Sequence, residues 1–329
     1  MLPAMKQVVE QRVAAHRGNG FVSTAIDELY LTVARECVPL YHQLYRPAIC
    51  VTLQGAKKAR VAGQTLSYGP MQALAARIEL PAIGSVVEAS PEQPYYGIML
   101  TLDLDILREV ATSIEPTASD GKPELGLFVF DVGSELEDAL TRLLRLLSTP
   151  AAIPVLSPGI MREICYWLLS GPKGAAFAEL GLAGTRSRGI VDAIARLRFG
   201  FAETFAIEEL AAVAGMGISS FHSHFKSLTG VTPLQYQKQL RLFEARRLML
   251  DEGINVSSTA YKVGYESVSQ FGREYARFFG APPKQDVMSL LKNPSSYVLD
   301  RCRPTAGGSS AASVNPSREI QSAWLRKRS

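Results

Sequence analysis

Two short stretches carry side chains able to read a polyanion. In GMGISSFHSHFKSLTGVTP (residues 215–233), Ser219, His222, Ser223 and Lys226 fall at i, i+3, i+4 and i+7, which lines them along one face of a helix. In GYESVSQFGREYARFFGAPP (residues 264–283), Ser269, Gln270, Arg273 and Arg277 form the corresponding outer stripe. Arginine forks onto guanine and glutamine onto adenine, whereas serine and lysine donate equally well to phosphate oxygens. The chemistry on offer is hydrogen bonding to double-stranded DNA.

No catalytic or metal-binding constellation competes with that reading. His222 and His224 are two residues apart, so on a helix they point to different faces, and no carboxylate or cysteine stands at ligand spacing beside them. Cys37, Cys50, Cys165 and Cys302 are scattered without a CxxC pair, which gives neither a zinc ribbon nor a disulfide framework and marks them as free thiols. The front half holds only His16 and His42, both expected outside the strand-rich region, so a metal-dependent enzyme site is not expected there. The reading therefore calls for no metal and no cofactor. An alkyl-transfer enzyme that uses DNA to find its substrate would need a thiolate poised by zinc or a base, and nothing in the spacing supplies one.

The two stripes sit in a repeated unit. Ala211, Gly215, Phe221, Phe225, Gly230 and Pro233 correspond to Ala260, Gly264, Phe271, Tyr275, Gly280 and Pro283, with spacings that agree to one residue. A small helix face, a glycine turn and two aromatics four apart predict helix, turn, helix, twice over. In such a motif the second helix enters the major groove, with Phe221, Phe225 and Leu228 inward in one copy and Phe271, Tyr275 and Phe278 inward in the other. Between them PLQYQKQLRLFEARRLMLDEG predicts a long helix, with Leu234, Leu240, Ala245, Leu248 and Met249 on its apolar side, ending before Gly253. Its length of roughly 25 Å suits a spacer that holds two recognition helices about one DNA turn apart. Lys238, Arg241, Arg246 and Arg247 along it are expected to meet phosphates.

Charge is divided in the same sense. Residues 1–183 carry 15 Lys/Arg against 19 Asp/Glu, and residues 184–329 carry 20 against 12, so the back half has the reason to meet a polyanion. From Pro47 onward, short β-rich runs broken at Gln54-Gly55, Ala62-Gly63 and Tyr68-Gly69-Pro70 predict a small antiparallel barrel or sandwich. Residues 20–42 show no clean period. In PAICVTLQ, alternation places Cys50 and Thr52 on one face and Ile49, Val51 and Leu53 on the other. Cys50 is the candidate ligand contact in this half, with a buried small hydrophobe as the plainer alternative. Lys57 and Lys58 read as solvated charge.

After Leu104 the period becomes helical. Leu136, Leu140, Leu143, Leu144 and Leu147 share one helix face, SPGIMREICYWLLSG predicts a helix opening at its Ser-Pro, and a boundary between two domains is expected in or just after the glycine-rich GPKGAAFAELGLAG. Beyond Asn293 the chain has few apolar groups to bury and ends in RKRS, which predicts a disordered tail. No apolar run reaches the roughly 18 residues that span a bilayer, and the N-terminus lacks a secretory apolar region, so a cytoplasmic location without membrane contact is expected.

The run SSFHSHFKSLTGVTPLQYQKQLRLFEARRLML, followed by AYKVGYESVSQFGREYARFFGAPP, resembles the DNA-binding domain of AraC/XylS transcriptional regulators. It departs from them where APP continues into Lys284-Gln285-Asp286. In the front half, LYRPAICVTLQGAKKARVAGQTLSYG and LPAIGSVVEASPEQPYYGIMLTLD are similar to the cupin-like N-terminal domain of a subgroup of these regulators. The resemblance implies an α+β chain: an N-terminal cupin-like β-barrel with flanking helices over residues 1–183, then an all-α double helix-turn-helix domain over 184–292 and the tail over 293–329. It implies a regulator of transcription that binds double-stranded DNA, responds to a small-molecule effector, forms a homodimer through its front half and, as an activator, meets RNA polymerase. The alternative is a ligand-independent regulator whose front domain serves dimerisation alone.

Overall fold

The computed structural model describes residues 2–16, 18–114, 125–181 and 186–292. Cys302 and the expected disordered tail lie outside the described residues. A first helix, α1 (Leu2–Val13), precedes nine strands: β1 (Gly20–Ser23), β2 (Leu29–Ala34), β3 (Val38–Tyr45), β4 (Ala48–Gln54), β5 (Ala56–Val61), β6 (Gln64–Tyr68), β7 (Gln72–Ala76), β8 (Leu80–Glu88) and β9 (Tyr95–Thr101). They form two antiparallel sheets, ordered β1-β2-β9-β4-β7-β10 and β3-β8-β5-β6, with β10 (Leu127–Asp131) joining the first sheet from beyond α2 (Leu104–Thr112). This is the cupin-like barrel.

Local chemistry sets the turns. Ala62 and Gly63 both take positive φ, 50° and 78°, as a two-residue hairpin between right-twisting strands requires. Gly55 has φ 77°, and a Cβ there would fall 2.3 Å from the Glu88 carbonyl oxygen, so only glycine fits. Alternation along β4 holds: Ile49, Val51 and Leu53 enter the main core, while Cys50 stands on the other face, opposite Met99 and Leu74. The unreadable stretch 20–42 is β1, β2 and most of β3. All six residues of β2 are buried, because α1 packs on the same sheet and the barrel interior covers the other face, so no polar alternation remains to be read.

Four more helices complete the front half and its exit: α3 (Ser134–Leu146), α4 (Ile153–Ser170), α5 (Gly174–Gly181) and α6 (Arg186–Phe199). The leucines predicted on α3 are buried together. One expectation changes here. The helix α4 begins ahead of Ser157-Pro158 and carries Pro158 inside it. Within the glycine-rich stretch, α5 buries Ala176, Phe177 and Ala178 and packs on α2 and α4. Small residues there permit close helix packing, which composition alone does not distinguish from a loop.

The remainder is helical: α7 (Ile207–Val213), α8 (Ile218–Thr229), α9 (Pro233–Asp251), α10 (Val256–Lys262), α11 (Val268–Phe279) and α12 (Pro283–Lys292). One apolar core runs from the barrel through α5 and α6 to Phe221, Phe225, Tyr236 and Leu240 of the first helix-turn-helix unit. The second unit has its own core around Leu242, Ala245, Met249, Val263, Phe271 and Tyr275. No single helix among the described residues is long and apolar enough to cross a membrane.

Candidate nucleic-acid interface

The twin units are built by the same local chemistry. After α7, Gly215 takes φ 65° and the Met216 N–H donates to the Ala211 carbonyl at 2.9 Å. After α10, Gly264 takes φ 87° and the Tyr265 N–H donates to the Ala260 carbonyl at 3.0 Å. Both second helices stop on left-handed glycines, Gly230 and Gly280, whose N–H groups donate to the Lys226 and Ala276 carbonyls. Phe221, Phe225, Phe271 and Tyr275 are fully buried. Phe278, expected in the core, is only half-buried and reaches out of its unit.

With the aromatics fixed inward, the opposite face of each helix points to solvent. Ser219, His222, Ser223 and Lys226 on α8 are exposed, as are Ser269, Gln270, Arg273 and Arg277 on α11. The side chains of Lys226, Arg273 and Arg277 make no hydrogen bond or ion pair with the described residues. Gln270 lends its amide to Glu274 at 3.2 Å. His224 is turned away from this face and lies against the Ser220 carbonyl and Arg186, and no group of metal-ligating side chains occurs among the described residues.

The central helix α9, about 28 Å long at 1.5 Å per residue over its 19 residues, corrects the sequence reading. Its four cations face protein. The Arg241 guanidinium donates to the carbonyls of Phe201, Ala202 and Glu203 in the α6–α7 loop and to that of Gly264 in the second turn, at 2.7 to 3.2 Å. It pins one unit to the other, with four of its five N–H donors engaged within the protein. Arg246 is buried, with a two-pronged contact to Asp286 at 2.8 and 2.9 Å, to which Tyr275 also donates at 2.7 Å. Asp286 belongs to the segment that departs from the family pattern, and it serves here as the partner of this arginine. Lys238 pairs with Glu274, and Arg247 with Glu244 and Glu252. Leu234, expected on the apolar side, is exposed.

Behind this face the barrel meets both units. The Gly126 N–H donates to the Leu228 carbonyl at 2.7 Å, Tyr236 donates to the Glu79 carbonyl at 2.6 Å, and Arg198 pairs with Glu79. His42 lies in β3, contrary to expectation, and faces outward, with its ring 4.5 and 5.3 Å from those of Phe278 and Phe279. Burial, together with the Arg246 cation, brings its pKa down to about 4.

A cavity of about 520 Å³ opens where barrel, α6 and α9 meet, between Tyr30, Cys50 and Met99 on one side and Leu240, Phe243 and Arg247 on the other. Cys50 is part of its wall. Burial pushes its thiol up to about 11, the reverse of what a thiolate sensor of electrophiles requires. Lys57 was missed by sequence reasoning: it is buried in the barrel while Lys58 is exposed. The period of two along β5 was the available signal, since it sends Lys57, Ala59 and Val61 to the inner face.

Two sheets closed on an interior, twin helix-turn-helix units and a donor-bearing outer face define a two-domain DNA-binding regulator of transcription. A family pattern described as the AraC-type transcriptional regulator N-terminus matches residues 25–176, and one described as a helix-turn-helix domain matches residues 210–287. The chain belongs to the AraC/XylS family. It is 23% identical over 199 residues to the virulence regulon transcriptional activator VirF of Yersinia enterocolitica, covering 60% of this chain and 72% of VirF. To the RCS-specific activator RclR of Escherichia coli it is 37% identical over 79 residues, 24% of this chain and 28% of RclR. Among solved structures it is similar to ToxT of Vibrio cholerae bound to an unsaturated fatty acid, with TM-score 0.52 and 12% identity over 83% of this chain and 97% of ToxT. An apo ToxT variant gives TM-score 0.55 at 10% identity, over 79% and 97%. That likeness is one of fold.

Proposed function

We propose that the protein reads two successive major-groove segments with α8 and α11 and changes that reading when a small molecule occupies the cavity between its domains. The observation that carries the DNA reading is the division of cations. Those of α9 are engaged within the protein, whereas Lys226, Arg273 and Arg277 on the outer faces are free to meet phosphates and bases. Ser219, His222, Ser223, Ser269 and Gln270 complete the two stripes, and Arg241 serves chiefly to tie the two units together.

An effector role for the front domain, to about residue 183, is supported by the cavity's position. Cys50, Tyr30 and Met99 from the barrel face Leu240 and Phe243 from the DNA-binding unit that follows to residue 292, so a ligand there touches both and can shift their relative populations. ToxT, of the same fold, has been solved with a fatty acid. A homodimer through the front half fits the apolar Val155, Leu156 and Tyr166 exposed on α4. A cytoplasmic site of action and, at activated promoters, contact with RNA polymerase complete the reading.

The test is selection of bound fragments from sheared host-genome DNA by wild type and by Arg273→Ala at two salt concentrations. The expected result is a motif of two blocks about one turn apart, roughly 34 Å, with the variant relaxed in one block. Sequence-blind, salt-sensitive binding unchanged by the variant would overturn it.

A further inference from the structure

Gln270 is exposed near the start of α11, in the part of a recognition helix that meets base edges. Its side-chain Nε2 donates to Glu274 Oε1, one turn further along, at 3.2 Å. Glu274 is itself braced from behind. The Lys238 ammonium of α9 donates to Oε1 at 2.9 Å, and the Tyr265 hydroxyl, from the turn before α11, donates to Oε2 at 3.0 Å. Burial acts to raise the Glu274 pKa, and the bonds from Lys238, Gln270 and Tyr265 outweigh it and hold the carboxyl below its ordinary range. The group is therefore ionised near neutrality, and an ionised carboxylate only accepts.

That settles which way round the Gln270 amide lies. Turned over, it would set its carbonyl oxygen against the carboxylate, oxygen to oxygen. As placed, one N–H goes to Glu274, and the other N–H and the carbonyl oxygen are left for the groove. An acceptor beside a donor complements adenine, which shows its N6 amino donor next to its N7 acceptor. Cytosine offers the N4 donor alone, whereas guanine at O6 and thymine at O4 would meet the amide oxygen with an oxygen. Glu274 does not read a base itself: its side chain is only 15% exposed, both its oxygens are engaged, and Lys238 balances its charge. The first unit has no such device. Ser220 and His224 stand at the matching positions of α8, and a hydroxyl that rotates between donating and accepting has no orientation to be fixed. We propose that Glu274, braced by Lys238 and Tyr265, is a positioning residue that makes Gln270 a reader of adenine in the DNA block contacted by α11.

This inference rests on the reading of DNA by α11, and the test separates the two. Full-length wild type, Gln270→Ala, Glu274→Gln and Glu274→Ala each select from random-sequence duplexes, and the selected site is then varied one base at a time in competition binding. Gln270→Ala is expected to erase one base preference in one block and so to mark the position it reads. At that position wild type should favour adenine over guanine by about tenfold or more. Glu274→Gln, whose amide donates as well as accepts, should reduce that ratio to about twofold while leaving the other block unchanged. If Glu274 only braced the fold, its loss would weaken binding to all duplexes alike and keep the ratio, and that result overturns the proposal. So does a wild-type preference for any base but adenine at the marked position. If Glu274→Gln does not melt cooperatively, Glu274→Ala, which keeps a good helix former there, decides by the same ratio. A motif relaxed in one block by Arg273→Ala and untouched by Gln270→Ala overturns the inference and leaves the DNA reading standing, whereas sequence-blind binding by wild type overturns both.

Discussion

Acidification is expected to loosen the barrel from the second helix-turn-helix unit through one side chain. His42 is held near pKa 4 in the folded protein, against about 6.5 unfolded, by burial between Phe278 and Phe279 and by Arg246, with Arg60 acting in the same direction and Asp286 against it. A histidine whose folded value is depressed contributes its full stability above the unfolded value. That stability is lost as pH falls from about 6.5 toward 4, because the unfolded chain takes up the proton first. Linkage across that gap gives a loss of about 2 kcal/mol by pH 5 and about 3 kcal/mol by pH 4. These are upper figures, since the ring keeps some contact with water. At about 2–4 °C per kcal/mol for a chain of this size, wild type should lose roughly 4–8 °C at pH 5 through His42 alone. The assay is thermal melting at pH 7.5 and 5.0 of wild type and His42→Phe, which keeps an aromatic ring against Phe278 and Phe279 and carries no titrating group. The variant should lose less stability than wild type by about that margin. Equal losses in both proteins would refute the argument, because carboxylates elsewhere titrate alike in the two.

Further outcomes follow from the same geometry. Arg241→Ala removes four hydrogen bonds from a charged donor to carbonyls and should destabilise the DNA-binding half by about 2–3 kcal/mol in urea unfolding. In fragment selection it should blur the spacing between the two DNA blocks while leaving each block's sequence intact, and a lost base preference would instead make it a base reader. Gly264→Ala forces a side chain into φ 87° and places its Cβ 2.3 Å from the Ala202 carbonyl oxygen, so a loss of about 2 kcal/mol or more is expected. Gly215→Ala, at φ 65° with open space around it, should cost less, and melting of the pair reads the difference. Lys226→Ala should lower affinity alike for specific and nonspecific DNA and reduce the slope of log affinity against log salt by about 1. A change confined to one base position would make Lys226 a base reader.

Features that depend on the chain's near neighbours were legible in the sequence. The paired glycines, the aromatics four apart and the outward stripes on α8 and α11 are set within a dozen residues, so spacing alone placed them on the correct faces. Features that depend on distant partners were not. Arg241 and Arg246 sit at helix spacing that suits a phosphate face, yet their acceptors lie 23 to 40 residues away, and a pattern within one helix carries no information about what packs against it. Lys57 was hidden for a related reason: beside Lys58 it looks like solvated charge, and only a strand with one wet face separates the two. The hydrophobic core carries the same lesson into function. Because the first unit shares its core with the barrel and the second does not, the barrel holds α8 through continuous packing. It reaches the second unit mainly through the His42 contact and the cavity wall on α9. A ligand in that cavity therefore acts on the spacing between the two recognition helices more than on either helix itself. Occupancy should change which operator spacing is tolerated before it changes which bases are preferred.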